Sequence, residues 1–211
     1  MKIILCRHGR TDFNNEKRYQ GKIETHINEE GKKQAEAIAD YLKDFEFDYA
    51  FSSPRKRCLE TAEIILKNHE VDLKIKEELG EVNYGFFEGK SVKEINEKLN
   101  EHWEERINKK YDFVPQEGES YKEIDEKRVK PLLDEFKEKY YSRTIFIVTH
   151  QGTGRLFLGN TFGATPNEKM EIDLPNEVIY FIEFRPHKTE IKYYNVETKE
   201  MKKGLLKRKK P

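Results

Sequence analysis

The sequence has little of several features that mark particular classes of protein. Its 211 residues include only two cysteines, Cys6 and Cys58, without metal-ligand spacing. This favours buried thiols in a reducing compartment over a disulfide or a metal site. The apolar run at residues 3–6 is far too short for the hydrophobic region of a signal peptide, so we expect a cytoplasmic protein.

An excess of charge of either sign is also missing. Lys and Arg number 40, and Asp and Glu also number 40, so no overall field favours nucleic acid or a membrane, and an anion would be attracted only locally. No linker divides the chain, and 36% of its residues are hydrophobic, so we predict one domain over residues 1–211. Residues 202–211 are basic and lack aromatic side chains, which favours a flexible tail over a nucleic-acid-binding segment.

The spacing of apolar residues predicts an α/β fold. Short apolar runs at residues 3–6, 49–52 and 145–149 are typical of strands buried on both faces of a largely parallel sheet. Residues 178–184 and 191–194 predict a late antiparallel pair, joined through residues 186–188.

Helical patterns lie between these predicted strands. Asn28 is suited to cap a helix with one apolar face, and a second apolar stripe begins at Cys58. A third helix is predicted over residues 120–140, kinked or split at Pro131. The resulting fold is a three-layer α/β/α sandwich, in which ligands bind outside the carboxyl ends of the strands. Residues 91–119 are rich in Glu, Lys and Asn, and predict a helical insertion that forms a lid over the site; a solvated excursion without a role is the alternative.

An Arg-His-Gly triplet, Arg7-His8-Gly9, directly follows the first predicted strand. A histidine held between a guanidinium group and a glycine is typical of a phosphate-handling nucleophile, although the triplet alone fits a surface or capping histidine equally well. Three further segments, residues 52–62, 79–89 and 147–152, add an arginine, a carboxylate and a second histidine. Each of these groups lies at the edge of a predicted element.

Together these segments resemble the histidine phosphatase superfamily, in its phosphoglycerate-mutase-like branch, over nearly the whole chain. The resemblance implies that His8 is a nucleophile which forms a phosphohistidine intermediate, without a cofactor. It also implies that Glu81 is the proton donor and His150 the second histidine. Arg57, rather than Arg55, matches the second arginine of the family.

The types of residue suit this chemistry. An unprotonated imidazole nitrogen can attack phosphorus, which requires His8 to be neutral. The guanidinium groups of Arg7 and Arg57 can each bind two phosphate oxygens, so no metal is needed. We expect further donors at the catalytic His150, at Asn14 and Gln20, and at the backbone amide of Gln151 where a helix begins.

The predicted insertion separates hydrolases from mutases within the resemblance. Trp103 is followed by Glu104 and Glu105, which would repel the substrate carboxylate of a phosphoglycerate mutase. Residues 115–120 resemble instead the Gly-Glu-Ser block of the phosphatase branch, typified by broad-specificity and α-ribazole phosphatases. We therefore predict a metal-independent hydrolase of small-molecule phosphomonoesters, with no nucleic-acid or membrane partner. A cofactor-dependent phosphoglycerate mutase and a non-catalytic phospho-ligand binding module remain the alternatives.

Overall fold

A seven-stranded sheet lies at the centre of the part of the chain that the structure describes, residues 1–98 and 100–208 of a computed structural model. Its strands are β1 (Lys2–Arg7), β2 (Tyr49–Ser52), β3 (Leu73–Ile75), β4 (Thr144–Thr149), β5 (Val178–Arg185), β6 (Lys188–Asn195) and β7 (Glu200–Lys203). Their order is β3-β2-β4-β1-β5-β6-β7. The first four strands pair in parallel, and β5, β6 and β7 pair antiparallel. This confirms the predicted sheet.

Helices cover both faces of this sheet. They are α1 (Asp12–Asn15), α2 (Glu29–Leu42), α3 (Lys56–Leu66), α4 (Val92–Lys98), α5 (Asn100–Asn108), α6 (Tyr121–Ile124), α7 (Lys130–Lys139), α8 (Gln151–Asn160) and α9 (Pro166–Glu171). Ile4 and Cys6 of β1 point to the core shared with α2 and α3. The alternate residues Ile3 and Leu5 point to the core shared with α7 and α8. The predicted three-layer α/β/α sandwich is therefore confirmed.

The predicted strands agree with the structure where both faces of the sheet are buried. The late antiparallel pair is present, but Lys188 already belongs to β6, so the connection is shorter than predicted. Sequence patterns missed β3 and β7 because these edge strands bury little: two of the three residues of β3 and all four of β7 are exposed. An edge strand without an apolar face leaves no periodic signal.

The predicted helix over residues 120–140 is split, as expected, but by an unexpected device. A π-helical segment, Asp125–Val129, separates α6 from α7, and Pro131 lies in the first turn of α7. The buried Asp125 carboxylate accepts hydrogen bonds from Lys169 (2.5 Å), Asn160 (2.6 Å) and the Tyr111 hydroxyl (2.8 Å). The wider turn thus places a carboxylate where α8, α9 and the end of the insertion meet.

The basic C-terminal segment has defined contacts as far as the structure describes it. Lys202 and Lys203 belong to β7, and Leu205 and Leu206 pack against the core. The Arg208 amide donates to the Glu171 carbonyl at 2.8 Å. These contacts differ from the flexible tail predicted over residues 202–211, because two leucines among the lysines anchor the segment; residues 209–211 lie outside the described residues.

Both cysteines are buried free thiols, as predicted. Burial raises the pKa of the Cys58 thiol to about 12, and it raises the pKa of Cys6 as well. In the described part of the chain, no helix combines the length and apolar character needed to cross a membrane.

The central strands should carry more of the stability than the sheet edge. We expect Ile147→Ala in β4, where the side chain is fully buried, to lower the free energy of unfolding by about 3 kcal/mol through lost burial and a cavity. The matched control is Ile75→Ala in β3, whose side chain is 48% exposed; it should cost under about 1 kcal/mol. Urea unfolding followed by circular dichroism measures both, and equal losses would contradict this account of the core.

Candidate functional site

The predicted site residues gather around a cleft of ≈ 370 Å³ at the carboxyl ends of β1 and β4. Arg7 and His8 come from the end of β1, Asn14 and Gln20 from the segment after it, Arg57 from α3, Glu81 from a loop and Gln151 from α8. This is the sheet edge at which an α/β fold binds ligands. His150 does not line the cleft and lies behind it.

His8 presents one free ring nitrogen to the cleft. The ring is buried, and Nδ1 lies 2.8 Å from the Gly9 carbonyl oxygen, which assigns the proton to Nδ1 and leaves Nε2 unprotonated. Burial lowers the pKa of His8 well below its usual value, and the positive charges of Arg7 and Arg57 lower it further. The ring is therefore neutral at neutral pH, with a lone pair available for attack.

Gly9 fixes the loop that holds this ring. Its amide donates to Thr61 Oγ1 of α3 at 2.8 Å. A Cβ atom at Gly9 would lie 2.5 Å from the Gly31 carbonyl oxygen of α2, so no other residue fits without moving that backbone. In addition, Asn176 Nδ2 donates to the His8 carbonyl at 2.7 Å. His8 is thus held by contacts with three different parts of the fold.

Arg7 and Arg57 bring two guanidinium groups to the cleft. Arg57 is fully buried and donates to the carbonyl oxygens of Gly21 and Ile23, both at 2.9 Å. The Nε atoms of Arg7 and Arg57 are buried without an acceptor among the described residues. Arg55, in contrast, pairs with Glu24 at 2.7 Å near the surface. Unpaired buried donors on charged groups are costly, which points to an anion as the missing partner.

Glu81 is held by the amino terminus of α8. Its carboxylate accepts hydrogen bonds from the backbone amides of Val82 (3.0 Å), Gly152 (3.1 Å) and Thr153 (3.2 Å). A Cβ atom at Gly152 would lie 2.4 Å from Glu81 Oε1, so the glycine makes room for the carboxylate. The Thr153 hydroxyl also donates to the Gly80 carbonyl at 2.5 Å. The start of α8 therefore fixes the position of a carboxylate in the cleft.

His150 supports the site from behind. Its ring is fully buried, and its centroid lies 5.2 Å from that of His8, edge to face. Nε2 lies 2.7 Å from Ser53 Oγ. Burial lowers the pKa of His150 well below its usual value, with Arg57 and His8 adding to the effect. Ser53 lies within the segment that indicated Arg57, but sequence reasoning gave it no role.

Three amide side chains complete the predicted set. Asn14 Oδ1 accepts from the Thr11 amide and hydroxyl at 3.1 and 3.2 Å. Gln20 Oε1 accepts from the hydroxyl of Thr11 at 3.1 Å and from that of Thr25 at 2.7 Å. Because these oxygens are occupied, the amide nitrogens remain as donors. Gln151 differs from the prediction in that its side chain takes part as well as its backbone position.

The Gln151 side chain links Arg7 to the rim of the cleft. Its Oε1 accepts from the Leu174 amide at 3.1 Å and from Arg7 Nη1 at 3.4 Å, and its Nε2 is buried without a partner among the described residues. Gln151 therefore orients Arg7 and offers a further donor.

The prediction that Glu104 and Glu105 would repel a substrate carboxylate is wrong, because neither residue lines the cleft. Glu104 and Glu105 are exposed on the outer side of α5 and do not line the cleft. The next residue, Arg106, is buried, lines the cleft and donates to the Tyr19 hydroxyl at 3.3 Å. Helical periodicity explains the difference, since Arg106 lies one turn from Trp103 on the inward face. The i, i+3 spacing of Trp103 and Arg106 is the sequence signal that could have predicted this position of Arg106.

The insertion reaches the cleft and is held at its start. Val92 and Arg106 both line the cleft. Arg18 donates to the Gly89 carbonyl at 2.8 Å and to Glu94 of α4 at 2.7 Å. The lid over residues 91–119 stays a prediction.

Sequence reasoning also missed Lys17, Arg155, Asp173 and Arg208 as cleft residues. No group of three His, Cys, Asp or Glu side chains in the described ranges is placed to hold a metal ion.

Comparisons of sequence and structure relate this chain to known proteins. A family model described as histidine phosphatase superfamily (branch 1) matches residues 3–197. The chain is 30% identical to the uncharacterized phosphatase PhoE of Bacillus subtilis, over 92% of this chain and 94% of that one. It is 31% identical to phosphoserine phosphatase 1 of Hydrogenobacter thermophilus over 71% of each chain.

Among solved structures, a putative α-ribazole-5′-P phosphatase from Escherichia coli has a similar fold. The TM-score is 0.85 at 22% identity, and the match covers 92% of this chain and 96% of that one. At this level of identity the similarity shows the shared fold.

The neutral state of the two buried histidines can be measured by NMR. We expect the ring signals of His8 and His150 to stay at neutral-form positions as the pH falls through the usual histidine range, because burial and the nearby arginines lower both pKa values. The same protein unfolded in urea is the control, in which histidines should titrate near about pH 6.5. As the pH falls below about 6.5, these histidines take up protons in the unfolded chain before they do so in the folded protein. The free energy of unfolding therefore decreases. Native midpoints near 6.5 would contradict the assignment.

Proposed function

Because the chain belongs to branch 1 of the histidine phosphatase superfamily, as its motifs predicted, we propose that it hydrolyses small-molecule phosphate monoesters through a phosphohistidine on His8, without a metal ion. The observation that carries the proposal is the pairing of a neutral histidine with unsatisfied guanidinium donors. His8 Nε2 is free beside the cleft, and the Nε atoms of Arg7 and Arg57 lack acceptors among the described residues. This arrangement fits a phosphoryl group better than any neutral ligand.

In the first step, the lone pair of His8 Nε2 attacks phosphorus in line with the leaving oxygen. The N–P bond forms as the P–O bond to the alcohol breaks. Nδ1 keeps its proton and donates a hydrogen bond to the Gly9 carbonyl oxygen. This contact stabilises the positive charge that develops on the ring. Arg7 and Arg57 stabilise the negative charge on the equatorial oxygens, with the amide donors of Asn14 and Gln20 assisting.

Glu81 handles the proton. As the alcohol departs, the carboxyl group of Glu81 donates a proton to the bridging oxygen, so that an alcohol leaves instead of an alkoxide. In the second step the same carboxylate takes a proton from water. The water oxygen attacks phosphorus, the N–P bond breaks, and inorganic phosphate leaves with His8 neutral again. Three backbone amides fix the position of this carboxylate in the cleft.

A phosphoglycerate mutase is the second candidate, and one observation favours it. Buried Arg106 lines the cleft where acidic residues had been predicted, so the repulsion of a substrate carboxylate by Glu104 and Glu105 no longer argues against a mutase. Interconversion of 3- and 2-phosphoglycerate after priming with the bisphosphate separates the two activities. A non-catalytic binding module is disfavoured, because such a module would not need a proton donor.

We further propose that the protein acts on small molecules in the cytoplasm, without a nucleic-acid or membrane partner. The buried free thiols of Cys6 and Cys58 suit a reducing compartment. Equal numbers of basic and acidic residues leave no overall field to attract a polyanion. An anion is instead attracted locally, in the cleft that Arg7 and Arg57 line.

The intermediate can be trapped directly. Rapid quench with labelled substrate should give an acid-labile, base-stable adduct, and turnover should persist in EDTA, since the side chains supply the positive charge. His8→Ala should give no adduct and lose at least about a thousandfold in turnover, as for other essential nucleophiles. Activity that disappears with EDTA and returns with Mg²⁺, or a nearly active His8→Ala variant, would refute the mechanism.

The role of Glu81 depends on the leaving group. Glu81→Gln should slow phosphoenzyme formation from an alkyl phosphate far more than from p-nitrophenyl phosphate, because nitrophenolate leaves without a proton. Single-turnover measurements isolate this step from the later activation of water. Equal losses for both substrates would show that Glu81 positions the phosphate or supports the fold instead.

A further inference from the structure

Arg155 is a buried cation that the proposed reaction does not use. It lies in α8, one helical turn beyond Gln151 and therefore about 6 Å along the axis from it. Its side chain is 1% exposed, and Nε and Nη1 have no hydrogen-bond partner among the described residues. Its guanidinium carbon lies 5.7 Å from the centre of the Tyr121 ring. A charge buried in this way is costly unless an anion completes its environment.

The same cleft receives Arg208 from the C-terminal segment. The backbone of this segment is fixed along the rim: the Asp173 amide donates to the Leu206 carbonyl at 2.9 Å, and the Leu206 amide donates to the Tyr180 hydroxyl at 3.0 Å. The side chain of Arg208 is exposed and lines the cleft together with Arg155. The C-terminal segment, which its composition predicted to be a flexible tail, therefore places Arg208 at the cleft.

The cleft holds more positive charge than one phosphoryl group requires. Seven cations line it against two carboxylates: Arg7, Lys17, Arg18, Arg57, Arg106, Arg155 and Arg208 against Glu81 and Asp173. The pKa of nearby Lys110 is lowered to about 5, mainly by burial and then by the positive charges of Arg155 and Arg208. Arg7 and Arg57 suffice for a phosphoryl group, so the charge at Arg155 and Arg208 lacks a counterpart in a substrate with a single anionic group.

We propose that Arg155 and Arg208 form a second anion subsite, which selects phosphomonoesters that carry a further carboxylate or phosphate group. Both groups suit the planar fork of a guanidinium. Arg155 lies one turn of α8 beyond Gln151, whose side chain contacts Arg7, so the proposed subsite and the phosphoryl-binding arginines share one cleft. The proposal rests on the proposed function for the identity of the first group, whereas the second group is assigned from Arg155 and Arg208.

Matched substrates test the subsite. Glycerol 3-phosphate and 3-phosphoglycerate share the ester and the neighbouring hydroxyl and differ in one carboxylate; propane-1,3-diol monophosphate and bisphosphate form the phosphate pair. We expect the wild-type protein to prefer the doubly anionic member of at least one pair by about tenfold or more in kcat/KM, a typical effect of a charge-assisted hydrogen bond. The pair that shows the preference identifies the chemistry of the second group.

Variants assign this preference to residues. Arg208→Gln should reduce the preference about tenfold, mainly through KM, and Arg155→Gln should do the same if its thermal unfolding shows a folded protein. The matched control is Lys207→Gln, a neighbouring exposed lysine that pairs with Glu171 at 3.2 Å and does not line the cleft. It should change the preference less than about twofold. If the wild type hydrolyses both members of the pairs with equal kcat/KM, or if a preference survives Arg208→Gln, the proposal is overturned.

Calorimetry separates this proposal from the proposed hydrolysis. His8→Ala protein, which cannot form the phosphohistidine, is titrated with both members of each pair, with and without Arg208→Gln. Tighter binding of the doubly anionic member, lost with Arg208→Gln, supports the subsite even if the wild-type protein hydrolyses neither compound, a result that would refute the proposed function alone. Equal binding of both members overturns the subsite even if hydrolysis is observed.

Discussion

The site depends on positive charge that is kept out of water next to a histidine that stays neutral. Buried Arg57 and half-buried Arg7 are fixed in the cleft before any ligand arrives, and the stability of the surrounding fold offsets the cost of removing their charges from water. The same two charges, together with burial, keep His8 unprotonated. One arrangement thus produces both the attraction for an anion and the neutral state of the ring, so the two properties cannot be adjusted independently.

The amino terminus of α8 organises the other half of the site. The first residues of this helix hold the Glu81 carboxylate by backbone amides, orient Arg7 through Gln151, and place His150 behind His8. Arg155 follows within the same helix. Because one rigid element carries all these contacts, helix geometry rather than loop conformation sets the spacing between Glu81, Gln151 and Arg155.

Sequence reasoning succeeded where residues are constrained by their neighbours along the chain. The central strands could be predicted because burial on both faces produces short apolar runs. The position of the Arg7-His8-Gly9 triplet could be predicted because it directly follows such a run. Arg106 and Ser53 were missed since their roles depend on which face of a helix or loop turns inward. Arg155 did leave a signal, as a single charge within the otherwise apolar and small residues of α8, while Arg208 depends on two leucines that anchor a basic segment.

The contacts of the insertion have a mechanical consequence. Arg18 fixes its start through Gly89 and Glu94, and Tyr111 fixes its end on the Asp125 carboxylate of the π-helical segment. A segment held at both ends cannot swing like a flap with one free edge; it can only bow outward between its supports. Between these supports the buried Arg106 donates to the Tyr19 hydroxyl, so outward bowing would break that contact and widen the cleft at the same time.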